Sequence, residues 1–257
     1  MVEKVDILMD NKYEFILVLI RISVIFTFGI FFGDKRISKL VKAAFIFLVT
    51  MVVLPTVDMN IDGNMSDFQF MINVCSEIII GLTIGLISAL IINTIQMAGS
   101  IIDVQGGFGM AQVFDPTTQS QVSIVSQFLI TFGLLFFVLN NFHVTFLEMV
   151  IDSFKLIPVG MATSINFSDM FMVAIKSFTV AISIGICMAL PVIGVIFMVD
   201  AILGIATRTM PQLNLFSVGY IVKIFNTLIL LYVYSVSINY FVGIITKTVF
   251  NFIERLV

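Results

Sequence analysis

The 257-residue chain is 60% hydrophobic and only 11% charged, with a mean hydropathy of +1.15. An ordinary soluble domain is roughly 45–50% apolar and about 25% charged, and a fold of this size could not hide so much apolar surface from water. The net charge of −3, with no basic run to grip phosphates, excludes nucleic acid as a partner.

The composition predicts an all-α, multi-pass membrane protein in contact with lipid, read as a single membrane-embedded domain over residues 1–257. Six apolar blocks stand out, at 13–33, 39–57, 69–98, 123–152, 171–206 and 213–248. The acids Glu3, Asp6, Asp10 and Glu14 occupy the place of a signal peptide's basic region, and no small-residue cleavage site follows. The first block is therefore expected to remain as a membrane helix. It carries Arg21 and a small-residue pair, Gly29 and Gly33.

The connector at 34–42 holds Lys35, Arg36, Lys39 and Lys42 against Asp34, whereas 58–68 holds Asp58, Asp62 and Asp67 and no base. The positive-inside rule makes the first cytoplasmic and the second external, with the N-terminus outside. The first two blocks match the ~20 residues needed to cross ~30 Å of hydrocarbon. The last four are too long for an upright crossing. They must tilt, break into helical hairpins, or project from the bilayer onto other protein.

In the third block Glu77, Gly81, Gly85, Ala89, Asn93 and Met97 recur at every fourth position. Such a row suits close helix packing more than ligand binding. Glu77 stands apart, because a carboxylate in an apolar run must be paired or wetted. The segment 105–121, QGGFGMAQVFDPTTQSQ, has Asp115 as its one formal charge. Gly106, Gly107 and Gly109 permit tight turns, Phe108, Met110, Val113 and Phe114 add soft apolar bulk, and Asp115–Pro116 marks a turn. An aqueous loop would not expose so many apolar side chains. The segment reads as a deformable pore constriction or as a packed re-entrant loop.

Asn140, Asn141 and His143 interrupt the fourth block and predict a hairpin turn, with His143 as a polar turn residue. Pro191 cannot donate to the carbonyl of Cys187, which predicts a kink or break in the fifth block. Asp200, Arg208 and Lys223 flank the connector 207–213 and are candidates for internal charge pairs or subunit contacts, as is Arg21. Cys75 and Cys187 are expected to be small buried thiols, with no disulfide or metal spacing between them. No catalytic motif, metal-ligand set or cofactor fingerprint is present in the sequence. A secondary transporter would also suit broken helices, although the sequence shows no inverted repeat.

The run AGSIIDVQGGFGMAQVFDP at 98–116, followed by Asp152-Ser-Phe-x-x-x-Pro158, resembles the FliR/SctT family of type III secretion export-gate proteins. A second run at 188–224, MALPVIGVIFMVDAILGIATRTMPQLNLFSVGYIVKI, resembles the same family in its Leu-Pro-Val, Asp200, Arg208, Met-Pro-Gln and Asn214-x-Phe. Arg21 and Glu77-x-x-x-Gly81 also fit. The resemblance implies long, kinked helices and hairpins packed into a hetero-oligomeric gate with FliP-like and FliQ-like subunits, alongside FlhA-like and FlhB-like export proteins. It implies a place in the bacterial inner membrane within the flagellar basal body, and unfolded flagellar proteins as the passing substrates. It further implies that the loop matching Gly106–Pro116 plugs the closed channel, with Phe108, Met110 and Phe114 as its apolar barrier. The injectisome export proteins, close relatives, are the alternative.

Overall fold

A computed structural model describes residues 12–30, 37–57, 66–108, 123–160, 167–209 and 215–256. Among these, every regular element is helical. They are α1 (Lys12–Phe28), α2 (Lys39–Val53) followed by a 3-10 turn at Leu54–Thr56, α3 (Asp67–Gln105), α4 (Ile124–Leu139), α5 (Phe142–Leu156), α6 (Phe167–Thr209) and α7 (Leu215–Leu256). A bilayer offers no water to backbone polar groups, so a helix, which satisfies its own, is the economical solution. Serines mark three starts: Ser38 Oγ accepts from Val41 N–H, Ser66 Oγ from Gln69 N–H and Ser123 Oγ from Ser126 N–H.

Four described helical stretches are long and apolar enough to cross a membrane: Lys39–Thr56, Asp67–Gln105, Phe167–Arg208 and Val218–Ser235. A fifth is added if α4 and α5 are counted as one bent span. The chain is thus an all-α, multi-pass membrane protein. α3, α6 and α7 contain 39, 43 and 42 residues. At 1.5 Å per residue such helices reach about 60 Å, twice the ~30 Å hydrocarbon thickness.

Three sequence expectations are corrected. First, the polar interruption in the fourth block is a bend and not a hairpin: α4 and α5 meet at 70°. Asn141 takes a left-handed φ of 57°, and Asn140 caps α4 by donating both its N–H and its Nδ2 to Phe136 O. The backbone returns to helical geometry at Phe142, so His143 lies in the first turn of α5. Second, of the kink or break expected at Pro191, the break is absent: α6 is one helix through that residue. Pro191 leaves the Cys187 carbonyl without its helical donor, while on the next residue Met188 O accepts from Tyr234 Oη–H at 2.9 Å. Third, Cys75 and Cys187 are exposed. These helices are apolar on their outer faces as well as their inner ones, so an apolar setting in sequence does not imply a buried side chain.

The connector residues 34–36 and 58–65, on which the topology expectation rests, lie outside the described residues.

The chain divides into two compact units, one of Met1–Leu90, Asn141–Phe178 and Lys247–Val257, the other of Ile91–Asn140 and Thr179–Thr246. In the first unit, α1 buries Leu17, Val18, Ile22, Ile25 and Phe26, a spacing of three and four that marks one helix face. Phe26 meets Phe45 and Phe146 edge to face, at centroid distances of 5.3 and 6.0 Å. α3 approaches α1 backbone to backbone at Gly81 and Gly85. A Cβ on Gly81 would stand 2.9 Å from Arg21 O, and one on Gly85 3.2 Å from Ile25 O.

In the second unit the same device recurs. A Cβ on Gly133 would stand 2.8 Å from Ile95 Cδ1, and one on Gly185 3.2 Å from Thr94 O. In both units outer faces remain apolar and uncovered: only 11% of Lys39–Thr56, in the first, and 28% of an apolar 18-residue stretch within Phe167–Arg208 is buried. Such surface belongs against lipid or other protein.

Candidate functional site

Arg21 and Glu77 form an enclosed ion pair in the first unit, with side chains 0% and 1% exposed. Arg21 Nε donates to Glu77 Oε2, and Nη2 donates to Glu77 Oε1 at 3.0 Å, a two-point fork. Nη1 donates to Ser153 O at 3.0 Å and to Ile157 O at 2.9 Å, the carbonyls that close α5. Glu77 Oε1 also accepts from Gly160 N–H at 3.4 Å. The Phe154 ring lies 4.4 Å from the guanidinium carbon. The pair therefore ties α1, α3 and the elbow after α5 into one element. Gly81, one helical turn after Glu77, lets α1 come close enough for the fork to form.

In the second unit, the two ends of the apolar segment 106–122 are brought together. Gly106 and Gly107 follow the last turn of α3, and Gly107 has a φ of 88°, open to glycine at no steric cost. Their backbone lies against α7: a Cβ on Gly106 would be 2.7 Å from Thr227 Oγ1, and one on Gly107 3.5 Å from the Tyr220 ring. Phe108 follows, half-buried. At the other end, Asp103 Oδ1 accepts from Val125 N–H at 3.3 Å, and Ser126 Oγ donates to Gln96 O at 2.9 Å. Gly109, Met110, Phe114, Asp115 and Pro116 lie outside the described residues.

The remaining charged candidates separate. Lys223 Nζ and Asp200 Oδ1 pair at 2.7 Å, each side chain about a third exposed. Arg208 is exposed near the end of α6. Gly85 is buried against α1. Among the described residues, no three His, Cys, Asp or Glu side chains gather as a metal site would require.

The sequence alone assigned no individual role to Asp103, Ser126, Thr227, Tyr220 or Phe154. Asp103 carried a usable signal, a carboxylate inside an apolar helix. The others did not, because a serine, threonine or aromatic residue in a membrane helix is unremarkable until its neighbour is known.

The Gly106 contact makes a prediction. Thr227 is fully buried, so Gly106→Ala is expected to destabilise the folded protein by about 1–3 kcal/mol through overpacking. Thr227→Ala should relieve part of that loss in the double variant. Thermal unfolding in detergent measures both, and strictly additive effects would rule out the contact.

Comparison with known proteins agrees with this architecture. The family described as bacterial export proteins, family 1, matches residues 13–249. A flagellar biosynthetic protein FliR of Bacillus subtilis (strain 168) is 37% identical over 229 residues, covering 88% of this chain and 87% of the relative. FliR of Buchnera aphidicola subsp. Schizaphis graminum is 28% identical over 237 residues, covering 90% and 89%. FliR of Escherichia coli (strain K12) is 25% identical over 202 residues, covering 79% and 76%. The matched region runs from the first helix, with its buried Arg21, almost to the end of the last, and on that agreement the chain belongs to the bacterial export proteins, family 1, alongside the FliR proteins.

Proposed function

We propose that the chain is a core subunit of the flagellar type III protein export gate, lying in the bacterial inner membrane within the flagellar basal body. In this reading it assembles with FliP-like and FliQ-like subunits around a channel for unfolded flagellar proteins, alongside FlhA-like and FlhB-like export proteins. The chain acts there as a wall and seal and does no covalent chemistry.

The observation that carries the reading is apolar surface that outruns the membrane. On α6, Phe171, Ile175, Phe178, Ile182, Ile186 and Leu190 are exposed along one face, and Phe197, Ile202 and Ile205 continue the exposed apolar surface. From Phe171 to Ile205 is about 50 Å of helix, against ~30 Å of hydrocarbon. Lipid covers only part of that length, and the remainder needs protein of similar character. The relatives quoted above bear flagellar names, which favours the flagellar over the injectisome assignment.

Within the gate, Gly106–Pro116 plugs the closed channel. Phe108, Met110 and Phe114 supply an apolar constriction that sheds water, and the glycines let it move aside for substrate. Support comes from the positive φ of Gly107 and from the paired ends of the segment.

The assembly is tested by purification from membranes in mild detergent. The chain is expected to copurify with FliP-like and FliQ-like subunits in a stable complex. A chain that purifies alone and binds a small solute would be a carrier instead, and the reading would be abandoned.

A further inference from the structure

We propose that Asp103 is a positioning residue that holds the two ends of the channel segment together by capping α4 from α3. The geometry is that of described residues, and the functional consequence rests on the plug reading above. Asp103 is 3% exposed, two residues before the end of α3. Packing alone gives a carboxylate no reason to be there. Its partner, Val125, is the second residue of α4, so that N–H is one of the donors a helix start leaves without an acceptor. Ser123 Oγ accepts from the neighbouring Ser126 N–H at 3.0 Å, from within the same chain segment. Asp103 serves Val125 from a different helix, and its charge faces the positive end of the α4 dipole.

The surroundings reinforce the clasp. Ser100 Oγ and Ser126 Oγ lie 3.0 Å apart. Gly99 admits the α4 start so closely that a Cβ there would stand 2.8 Å from Ser126 N. The chain between Gly106 and Val122 thus leaves from and returns to one base.

The test uses the assembled complex carrying Asp103→Ala, Asp103→Asn or Gly99→Ala, with deletion of 106–114 as reference. Amide hydrogen exchange at Val125 and basal ion conductance are the two readouts. Asp103→Ala should speed Val125 exchange about tenfold or more and raise conductance toward that of the deletion. Asp103→Asn keeps an acceptor in place and should stay near wild type in both. Gly99→Ala pushes Ser126 away without touching the carboxylate, and should reproduce the alanine variant even if that variant does not accumulate. Unchanged exchange in Asp103→Ala and Gly99→Ala overturns the cap. Faster exchange with wild-type conductance, in a complex whose deletion variant leaks, overturns the positioning role while the plug stands. If the deletion itself does not leak, the plug reading fails and the positioning role falls with it.

Discussion

Replacing Glu77 with alanine is expected to destabilise the folded protein by about 3–5 kcal/mol, enough to abolish its accumulation in the membrane. The magnitude follows from what is left behind. Arg21 is fully buried and cannot reach water, and without the fork its charge is held only by the Ser153 and Ile157 carbonyls and the Phe154 ring. An uncompensated guanidinium in an apolar interior is among the costliest of single lesions. Arg21→Lys should also be poorly tolerated, since a point charge cannot serve four acceptor contacts in one plane. The double variant Arg21→Met, Glu77→Leu removes both charges and should recover part of the loss. It should not recover all of it, because Gly160 N–H and two carbonyls lose partners. Protein level in membranes and the midpoint of thermal unfolding in detergent test the order. A Glu77→Ala protein with wild-type level and midpoint would show that the pair is not structural.

Deleting residues 106–114 is expected to make the assembled gate leak ions at rest. An apolar constriction blocks conduction because water in a narrow apolar passage is unstable, so removing the bulk of Phe108, Met110 and Phe114 should wet it. The deletion also removes Gly106 and Gly107, which lie against Thr227 and Tyr220. The triple variant Phe108→Ser, Met110→Ser, Phe114→Ser separates the two effects, since it keeps segment length and both glycines. It should leak as well, while assembling normally. Conductance across planar bilayers containing purified complex gives the answer, and background conductance from both variants would remove the plug from the mechanism.

Much of the fold was legible beforehand because hydropathy reports solvent. Six apolar blocks map onto the seven described helices, the fourth block dividing into α4 and α5. Block length called for helices that tilt, break or outrun a bilayer, and α3, α6 and α7 are each a single long helix. The hairpin expectation failed for a local reason. Asparagine is tolerated in the left-handed region, and one such residue redirects a helix without reversing it. Of the kink or break expected at Pro191, the helix shows no break, because a long helix can absorb one missing donor; the neighbouring Met188 carbonyl accepts from Tyr234, remote in sequence.

The site divides in the same way. Glu77 and Arg21 were conspicuous singly, since each is a charge where charge is expensive. That they belong to each other is a contact across 56 positions of sequence, which no spacing rule reaches. The glycines of α3 announced close packing but not its target. Composition and periodicity by themselves determined the membrane environment, the helical class and which residues needed partners, because these follow from the energy of each group in hydrocarbon. Only the tertiary structure decided which partners they have. It joined Arg21 to Glu77 and Asp103 to the start of α4, and it left the cysteines outward, because a partner is chosen by the three-dimensional path of the chain and not by the residue's own preference.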